Sequence, residues 1–98
     1  MTNNLRPIHP GEILKDELKE LDLSARQFAA HLHVPTNRIT AILNEERGIS
    51  SDTALRLAQY FKTSPQFWLN LQVDYDLKVT ARKVGKKIEK EVHHRDAA

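Results

Sequence analysis

Residues 24–44, SARQFAAHLHVPTNRITAILN, constrain the fold more than any other part of the chain. Their apolar residues recur at the spacings of one buried helical face. These residues are Phe28, Ala29, Leu32, Ile39, Ile42 and Leu43. Ser24 precedes the pattern as a good N-cap, and Pro35 interrupts it because proline disfavours helical backbone at the residue before it. The stretch therefore predicts two short helices joined by a tight turn.

The second of these helices carries small polar residues away from its apolar side. A short helix, a tight turn and a helix with a polar leading face form a helix-turn-helix, whose second helix enters the DNA major groove. Arg38 can make a bidentate hydrogen-bonded contact with guanine, and Asn37 can pair with adenine. Ala41 offers only apolar contact. The alternative is an ordinary solvated helix face. We predict contacts with DNA bases for Thr36, Asn37, Arg38, Thr40 and Ala41.

The first helix of the pair and the loop after the second helix supply candidates for phosphate contacts. In this motif the first helix crosses the phosphate backbone, and the free amides at a helix N-terminus favour an anion. Ser24 is equally explained as a helix cap, and the two roles are compatible. Glu45 and Glu46 indicate that the loop turns partly away from DNA. The predicted phosphate contacts are Ser24, Arg26, Gln27, Asn44 and Arg47.

Three further helices are predicted around this pair. One covers residues 12–21 after a proline, another follows a serine cap at position 50 or 51, and the third begins at Ser64 with Pro65 in its first turn. Trp68 is predicted to anchor the last helix on the others, because an aromatic residue among leucines is more often core than a platform for single-stranded nucleic acid. Together the five helices predict a compact all-α domain. Their apolar sides contain Ile13, Leu14, Leu18, Leu21, Ala54, Leu55, Leu57, Ala58, Phe61, Phe67, Trp68, Leu69, Leu71 and Val73.

The tail of the chain carries a narrow apolar stripe between charged residues. Its helical spacing predicts an amphipathic helix, in which Gly85 costs about 1 kcal/mol relative to alanine. The stripe either folds back on the domain or contacts a second copy or a protein partner, and we favour the contact. We therefore divide the chain into a DNA-binding domain, residues 1–77, and a basic amphipathic arm, residues 78–98. The lysines of the arm either form a solvated face or bind phosphate or an acidic partner. The stripe consists of Leu77, Ala81, Val84 and Ile88.

Charge is distributed unevenly along the chain. The formal net charge is +2, but residues 1–77 carry −2 and residues 78–98 carry +4. Attraction to phosphate grows with the number of cations at the interface. A single copy is therefore expected to bind DNA weakly, and two copies acting together are needed.

The rest of the composition argues against several classes of function. The 98 residues include no cysteine, and the five histidines lack the spacing of metal ligands, so we predict no metal and no cofactor. No apolar run approaches the roughly 20 residues of a membrane span, and the start of the chain does not resemble a secretion signal. A cytoplasmic protein is therefore expected. Without a glycine-rich phosphate loop or a nucleophile elbow, we expect no enzymatic activity.

Four segments together resemble the λ-repressor-like, XRE-type helix-turn-helix proteins and, within them, the HigA-type antitoxins of bacterial toxin–antitoxin modules. HPGEIL before the motif and SPQFWLNLQ after it are more specific than the motif itself. At His33 the chain departs from the family pattern, which commonly has glycine there because the turn often takes a positive φ. The segments are HPGEILKDEL at 9–18, the motif at 24–44, ISSDTALRLAQYF at 49–61 and TSPQFWLNLQVDYDL at 63–77.

The resemblance implies a five-helix λ-repressor-like fold and a homodimeric repressor that binds double-stranded operator DNA. It also implies a protein partner, a small RelE-like toxin that cleaves mRNA and is neutralised by complex formation, with repression of the shared operon. The alternative is an XRE-type regulator, orphan or phage-like, that has no toxin. The two hypotheses share the fold and the DNA site, and they differ only in the partner.

Overall fold

Five α-helices and no strand make up residues 6–96, the part of the chain that the computed structural model describes. The all-α fold is therefore confirmed. The division of the chain at residue 77 remains a prediction. Residues 1–5 of the predicted domain and residues 97–98 of the predicted arm lie outside the described residues. The helices are α1 (Pro10–Leu21), α2 (Ala25–Leu32), α3 (Thr36–Leu43), α4 (Ser51–Phe61) and α5 (Pro65–Glu91).

Four of the five helices begin at a side-chain cap. Ser24 Oγ accepts the Gln27 N–H at 3.1 Å, and Gln27 Oε1 accepts the Ser24 N–H at 2.9 Å, so α2 starts with a reciprocal capping box. The hydroxyl oxygens of Ser50 and Ser64 cap α4 and α5. At α1 the cap is the buried His9, whose Nδ1 accepts the Gly11 N–H at 2.9 Å. The three predicted serine caps are thus confirmed.

The hydrophobic core lies between α1, α2, α3, α4 and the first turns of α5. An aromatic series crosses it, because Phe61 stands 5.9 Å from Phe28 and 5.5 Å from Trp68 between ring centroids. Trp68 is 2% exposed, and its Nε1 donates to Thr63 Oγ1 at 2.9 Å. This confirms the prediction that Trp68 anchors α5. The core residues are Leu14, Leu18, Phe28, Ala29, Leu32, Ile39, Ile42, Ile49, Ala54, Leu57 and Trp68.

Four apolar side chains that were predicted on the buried sides of helices are exposed instead. Leu55 and Phe67 each stand one position from a buried residue, Ala54 and Trp68, and one position turns the side chain roughly 100° around the helix. An apolar run therefore identifies an apolar helix without showing how much of it the neighbouring helices cover. The exposed residues are Leu21, Leu55, Phe67 and Val73.

Helix α5 is longer than the sequence predicted, because the expected fifth helix and the expected tail helix are one continuous helix of 27 residues. At 1.5 Å per residue it is about 40 Å long, and the described chain extends over 55 × 24 × 21 Å. Gly85 does not interrupt it, since one glycine costs a helix only about 1 kcal/mol relative to alanine. Neither α5 nor any other helix within residues 6–96 is long and apolar enough to cross a membrane.

The start of α1 approaches the end of α3 so closely that only glycine fits between them. A Cβ atom at Gly11 would lie 2.0 Å from the Ile42 carbonyl oxygen and 3.0 Å from the Ile42 carbonyl carbon. Both contacts are with backbone, which cannot move aside as a flexible side chain can. Gly11 therefore allows α1 to hold the helix that carries the predicted base contacts.

We predict opposite effects of alanine at two glycines. Gly11→Ala should lower the melting temperature by about 10 °C, because overpacking against backbone costs about 2–3 kcal/mol. Gly85→Ala should raise it by about 3–6 °C, because alanine is the better helix former and its Cβ meets only Ala81 Cβ, at 3.8 Å. Thermal unfolding followed by circular dichroism measures both. Equal melting temperatures for Gly11→Ala and wild type would contradict the close packing of α1 on α3.

Candidate nucleic-acid interface

Helix α3 separates its apolar and polar residues cleanly. Ile39 and Ile42 are 0% exposed, so they fix the orientation of α3 on the core. Thr36 and Asn37 are exposed, and Arg38, Thr40 and Ala41 are half-buried at the edges of the same surface. The structure thus brings all five predicted base-contact residues to the outer side of α3.

Hydrogen bonds within α3 leave part of this surface available to a ligand. Thr40 Oγ1 donates to the Asn37 carbonyl at 3.3 Å, so its hydroxyl proton is used within the helix while the oxygen can still accept. Among residues 6–96 the Asn37 side-chain amide has no hydrogen-bond partner. Asn37 can therefore offer both a donor and an acceptor to a base edge.

Arg38 belongs to an ion-pair network that joins three helices. Its Nη1 donates to Asp52 Oδ2 at 2.5 Å, and Arg56 Nε donates to the same oxygen at 2.9 Å. Arg56 Nη1 also donates to the Leu32 carbonyl at 2.9 Å, at the end of α2. Hydrogen bonds from Arg56 and then from Arg38 lower the pKa of the Asp52 carboxyl, because both arginines favour its charged form. The network links α2, α3 and α4 on one side of the motif.

The turn between α2 and α3 is a left-handed helix end. His33 has φ 57° and ψ 47°, and its N–H donates to the Ala30 carbonyl while the Val34 N–H donates to the Ala29 carbonyl. The positive φ expected from the family pattern is therefore present without glycine. Asp22, Glu45 and Lys62 also have a positive φ, so this chain repeatedly uses polar or charged residues at such positions.

The predicted phosphate contacts form two groups. Ser24, Arg26 and Gln27 lie exposed at the start of α2, where the capping box uses Gln27 Oε1 and leaves its amide N–H groups for another partner. Asn44 and Arg47 lie exposed in the loop after α3. Glu45 and Glu46 in that loop are exposed as well. In the described part of the chain, no three histidine, aspartate or glutamate side chains are grouped so as to hold a metal ion.

A second ion pair, between Arg6 and Glu12, lies at the start of α1. Arg6 donates to both oxygens of Glu12, at 3.0 and 2.9 Å, in the first turn of α1. The hydrogen bond from Arg6 lowers the pKa of Glu12. Because Glu12 also accepts the His9 N–H, this pair belongs to the cap of α1.

Comparison with known proteins places this geometry in a family. The helix-turn-helix family matches residues 14–68, which include α2, α3 and α4. A solved structure of an addiction module antidote protein of the HigA family from Coxiella burnetii superposes with a TM-score of 0.90 at 63% identity, over 93% of this chain and 100% of that one. The chain belongs to the HigA-type antitoxins of the XRE helix-turn-helix family.

Two further relatives of this antitoxin are similar over most of their length. Pseudomonas aeruginosa antitoxin HigA, solved with the higBA promoter, has a TM-score of 0.87 and 50% identity over 90% of this chain and 97% of that one. Virulence-associated protein I of Dichelobacter nodosus is 54% identical over 78 residues, which are 79% of this chain and 72% of the relative.

Sequence reasoning did not assign Asp52 and Arg56 of this antitoxin to the candidate interface. Asp52 stands in the first turn of α4, where an acid suits the helix N-terminus, and this local role does not point to Arg38. The spacing of four residues between Asp52 and Arg56 is a signal for an ion pair on one helix face. The link to Arg38 spans 14 residues and depends on how α3 packs against α4, so it had no signal in the sequence.

Proposed function

We propose that this antitoxin is a sequence-specific repressor that binds operator DNA through α3 as a homodimer. The observation that carries the proposal is the complete burial of Ile39 and Ile42 beneath an outer surface of small polar side chains. A helix held in this way can enter the major groove without rearrangement and present Thr36, Asn37 and Arg38 to base edges. A protein that binds operator DNA in a bacterium works in the cytoplasm, and this location belongs to the same proposal.

The phosphate contacts proposed for Ser24, Arg26, Gln27, Asn44 and Arg47 position α3 without reading sequence. Two of these residues are arginines, and residues 1–77 carry a net charge of −2. Nonspecific attraction of one copy to a duplex is therefore small. A second copy on the same duplex supplies the missing affinity through the high effective concentration of the linked site.

The outer side of α5 is the proposed dimer contact, with residues 78–98 as its arm. Leu77 comes nine residues after the buried Trp68, about two and a half helical turns, so its side chain faces away from the core. Leu77 is 65% exposed and Ile88 46% exposed, and Ala81 and Val84 lie between them. An apolar row of this length on a projecting helix is stabilised by covering it with a second apolar row.

A toxin completes the proposal. The chain belongs to a family of antitoxins, and we propose that it neutralises a RelE-like, mRNA-cleaving toxin and represses the operon that encodes both proteins. The P. aeruginosa relative supports the regulatory part, because it was solved with the higBA promoter. The D. nodosus relative is named for virulence and not for a toxin, which keeps an XRE-type regulator without a toxin as the second candidate.

The DNA contacts are tested by footprinting the region upstream of its own operon, then by fluorescence-anisotropy titration of the protected duplex. Arg38→Ala should weaken specific binding by about 5- to 100-fold, because a good two-bonded base contact contributes about 1–3 kcal/mol of discrimination. Arg26→Ala should weaken binding to specific and random duplexes alike and reduce the salt slope by about one. Equal affinity of wild type and Arg38→Ala for the protected duplex would remove Arg38 from the base contacts, and no protection would refute operator binding.

The dimer is tested by placing carboxylates in the stripe. Val84→Asp with Ile88→Asp should give a monomer by light scattering, because two charges cannot be buried in an apolar interface without several kcal/mol of desolvation. Lys86→Asp with Lys90→Asp is the matched control, since it places carboxylates at the same level of α5 on its opposite side. A dimeric mass for the stripe variant would place the contact elsewhere.

The toxin is tested with the neighbouring reading frame. We expect that frame to encode a small basic RelE-like protein that arrests growth when expressed alone, and we expect co-expression with this chain to restore growth. The Arg38→Ala variant is the control: it should still restore growth while repressing the operon less, because neutralisation does not use the base contacts. Growth arrest that persists beside folded, stable antitoxin would favour the regulator without a toxin.

A further inference from the structure

Asp52 lies on α4, outside the helix pair that contacts DNA in this motif, yet it bonds directly to a residue proposed to contact bases. We propose that Asp52 is a positioning residue that orients the Arg38 guanidinium for one guanine and thereby sets the specificity of the interface. This inference rests on the proposed function, since it requires that α3 enters the major groove. Asp52 itself need not touch DNA.

The geometry of the pair leaves Arg38 able to contact a base. Only Nη1 of Arg38 bonds to Asp52, at 2.5 Å. Within residues 6–96, Nε and Nη2 of Arg38 have no hydrogen-bond partner. These two nitrogens lie on one edge of the planar guanidinium and donate in parallel, which is the arrangement that guanine O6 and N7 accept. Asp52 therefore holds one side of Arg38 and leaves the opposite edge free.

Asp52 is itself held in place. Arg56 Nε donates to the same Oδ2 atom at 2.9 Å, and Arg56 Nη1 bonds to the Leu32 carbonyl at 2.9 Å and to the His33 carbonyl at 3.4 Å. Arg38 is thus connected to the end of α2 through two residues of α4, Asp52 and Arg56. An arginine that is already fixed loses less rotamer freedom when it binds a base than a free one does.

The network contributes to orientation more than to stability. Ion pairs between exposed side chains add little to the free energy of unfolding, and the Asp52 side chain is 55% exposed. Arg38, at 23% exposed, is the more restricted partner. A carboxylate beside a DNA-facing helix also repels phosphate, which lowers affinity for every duplex. Asp52 is therefore expected to weaken nonspecific binding while it strengthens the contact that distinguishes sequences.

Asp52 is expected to strengthen specific binding and weaken nonspecific binding. A variant that merely damages the fold would lower both affinities, so the two cases can be distinguished. The probes are the duplex protected in the footprint and a scrambled duplex of the same length and composition. Asp52→Asn should lower the ratio of specific to nonspecific affinity about tenfold, because the guanine contact loses its orientation. The same variant should raise affinity for the scrambled duplex about two- to threefold, because one negative charge is removed near phosphate. If Asp52→Asn does not fold, Asp52→Ser gives the same readout.

Two controls separate charge from positioning. Glu46→Gln removes one negative charge from the exposed loop after α3 and should raise both affinities equally, which leaves their ratio unchanged. In a double-mutant cycle, Asp52→Asn in an Arg38→Ala background should leave the ratio unchanged, because there is no arginine to orient. Substituting individual G·C pairs should then identify one pair whose replacement matters to wild type and no longer matters to Asp52→Asn.

The outcomes distinguish this inference from the proposed function. A wild-type protein that does not prefer the protected duplex would overturn both. A wild-type preference that survives in Asp52→Asn would overturn only the positioning role. An equal loss of affinity for both duplexes would also overturn it, since that pattern indicates structural damage. A lower ratio together with undiminished nonspecific affinity supports it.

Discussion

The close packing of α1 on α3 determines how the rest of the molecule presents its functional surface. Ile39 and Ile42 are completely buried, and the carbonyl of Ile42 lies so near Gly11 that no side chain fits there. Because an α-helix is rigid, fixing one side of α3 also fixes the other side. The polar residues from Thr36 to Ala41 are therefore turned outward by packing on their opposite side, and they need no contacts among themselves to stay there.

Local sequence predicted most of the fold because the interactions that begin and end these helices are local. Ser24, Ser50 and Ser64 cap helices through bonds to residues three positions ahead, and such spacing is visible in a sequence. Coverage by neighbouring helices is not visible there. Leu55 and Val73 continue apolar patterns but lie exposed, because the patterns do not show where a neighbouring helix ends. The fifth and tail helices were predicted as separate although residues 74–80 contain neither glycine nor proline, so no stop signal divides them at residue 77.

The candidate site was predictable only in part, for the same physical reason. The residues of α3 follow from the periodicity of one helix, and their outward orientation agrees with that expectation. The partner of Arg38 lies 14 residues later in the chain, and Arg56 bonds to a carbonyl 24 residues earlier. Such contacts depend on the angle between α3 and α4, which spacing within a helix does not contain. A charged residue on a recognition helix therefore has to be judged together with the helix that packs behind it.

The low net charge of residues 1–77 makes the contact between Asp52 and Arg38 important for the proposed DNA binding. A strongly basic surface binds any duplex, and the contribution of base contacts is then a small share of the total affinity. Here residues 1–77 carry a net charge of −2 and the excess of cations lies beyond residue 77. In the proposed function, discrimination between DNA sequences then comes from a few side chains in fixed positions, repeated in the proposed second copy. A carboxylate that restrains Arg38 suits such an interface. It lowers the general attraction to phosphate, and it holds Arg38 in position for a defined contact with a base.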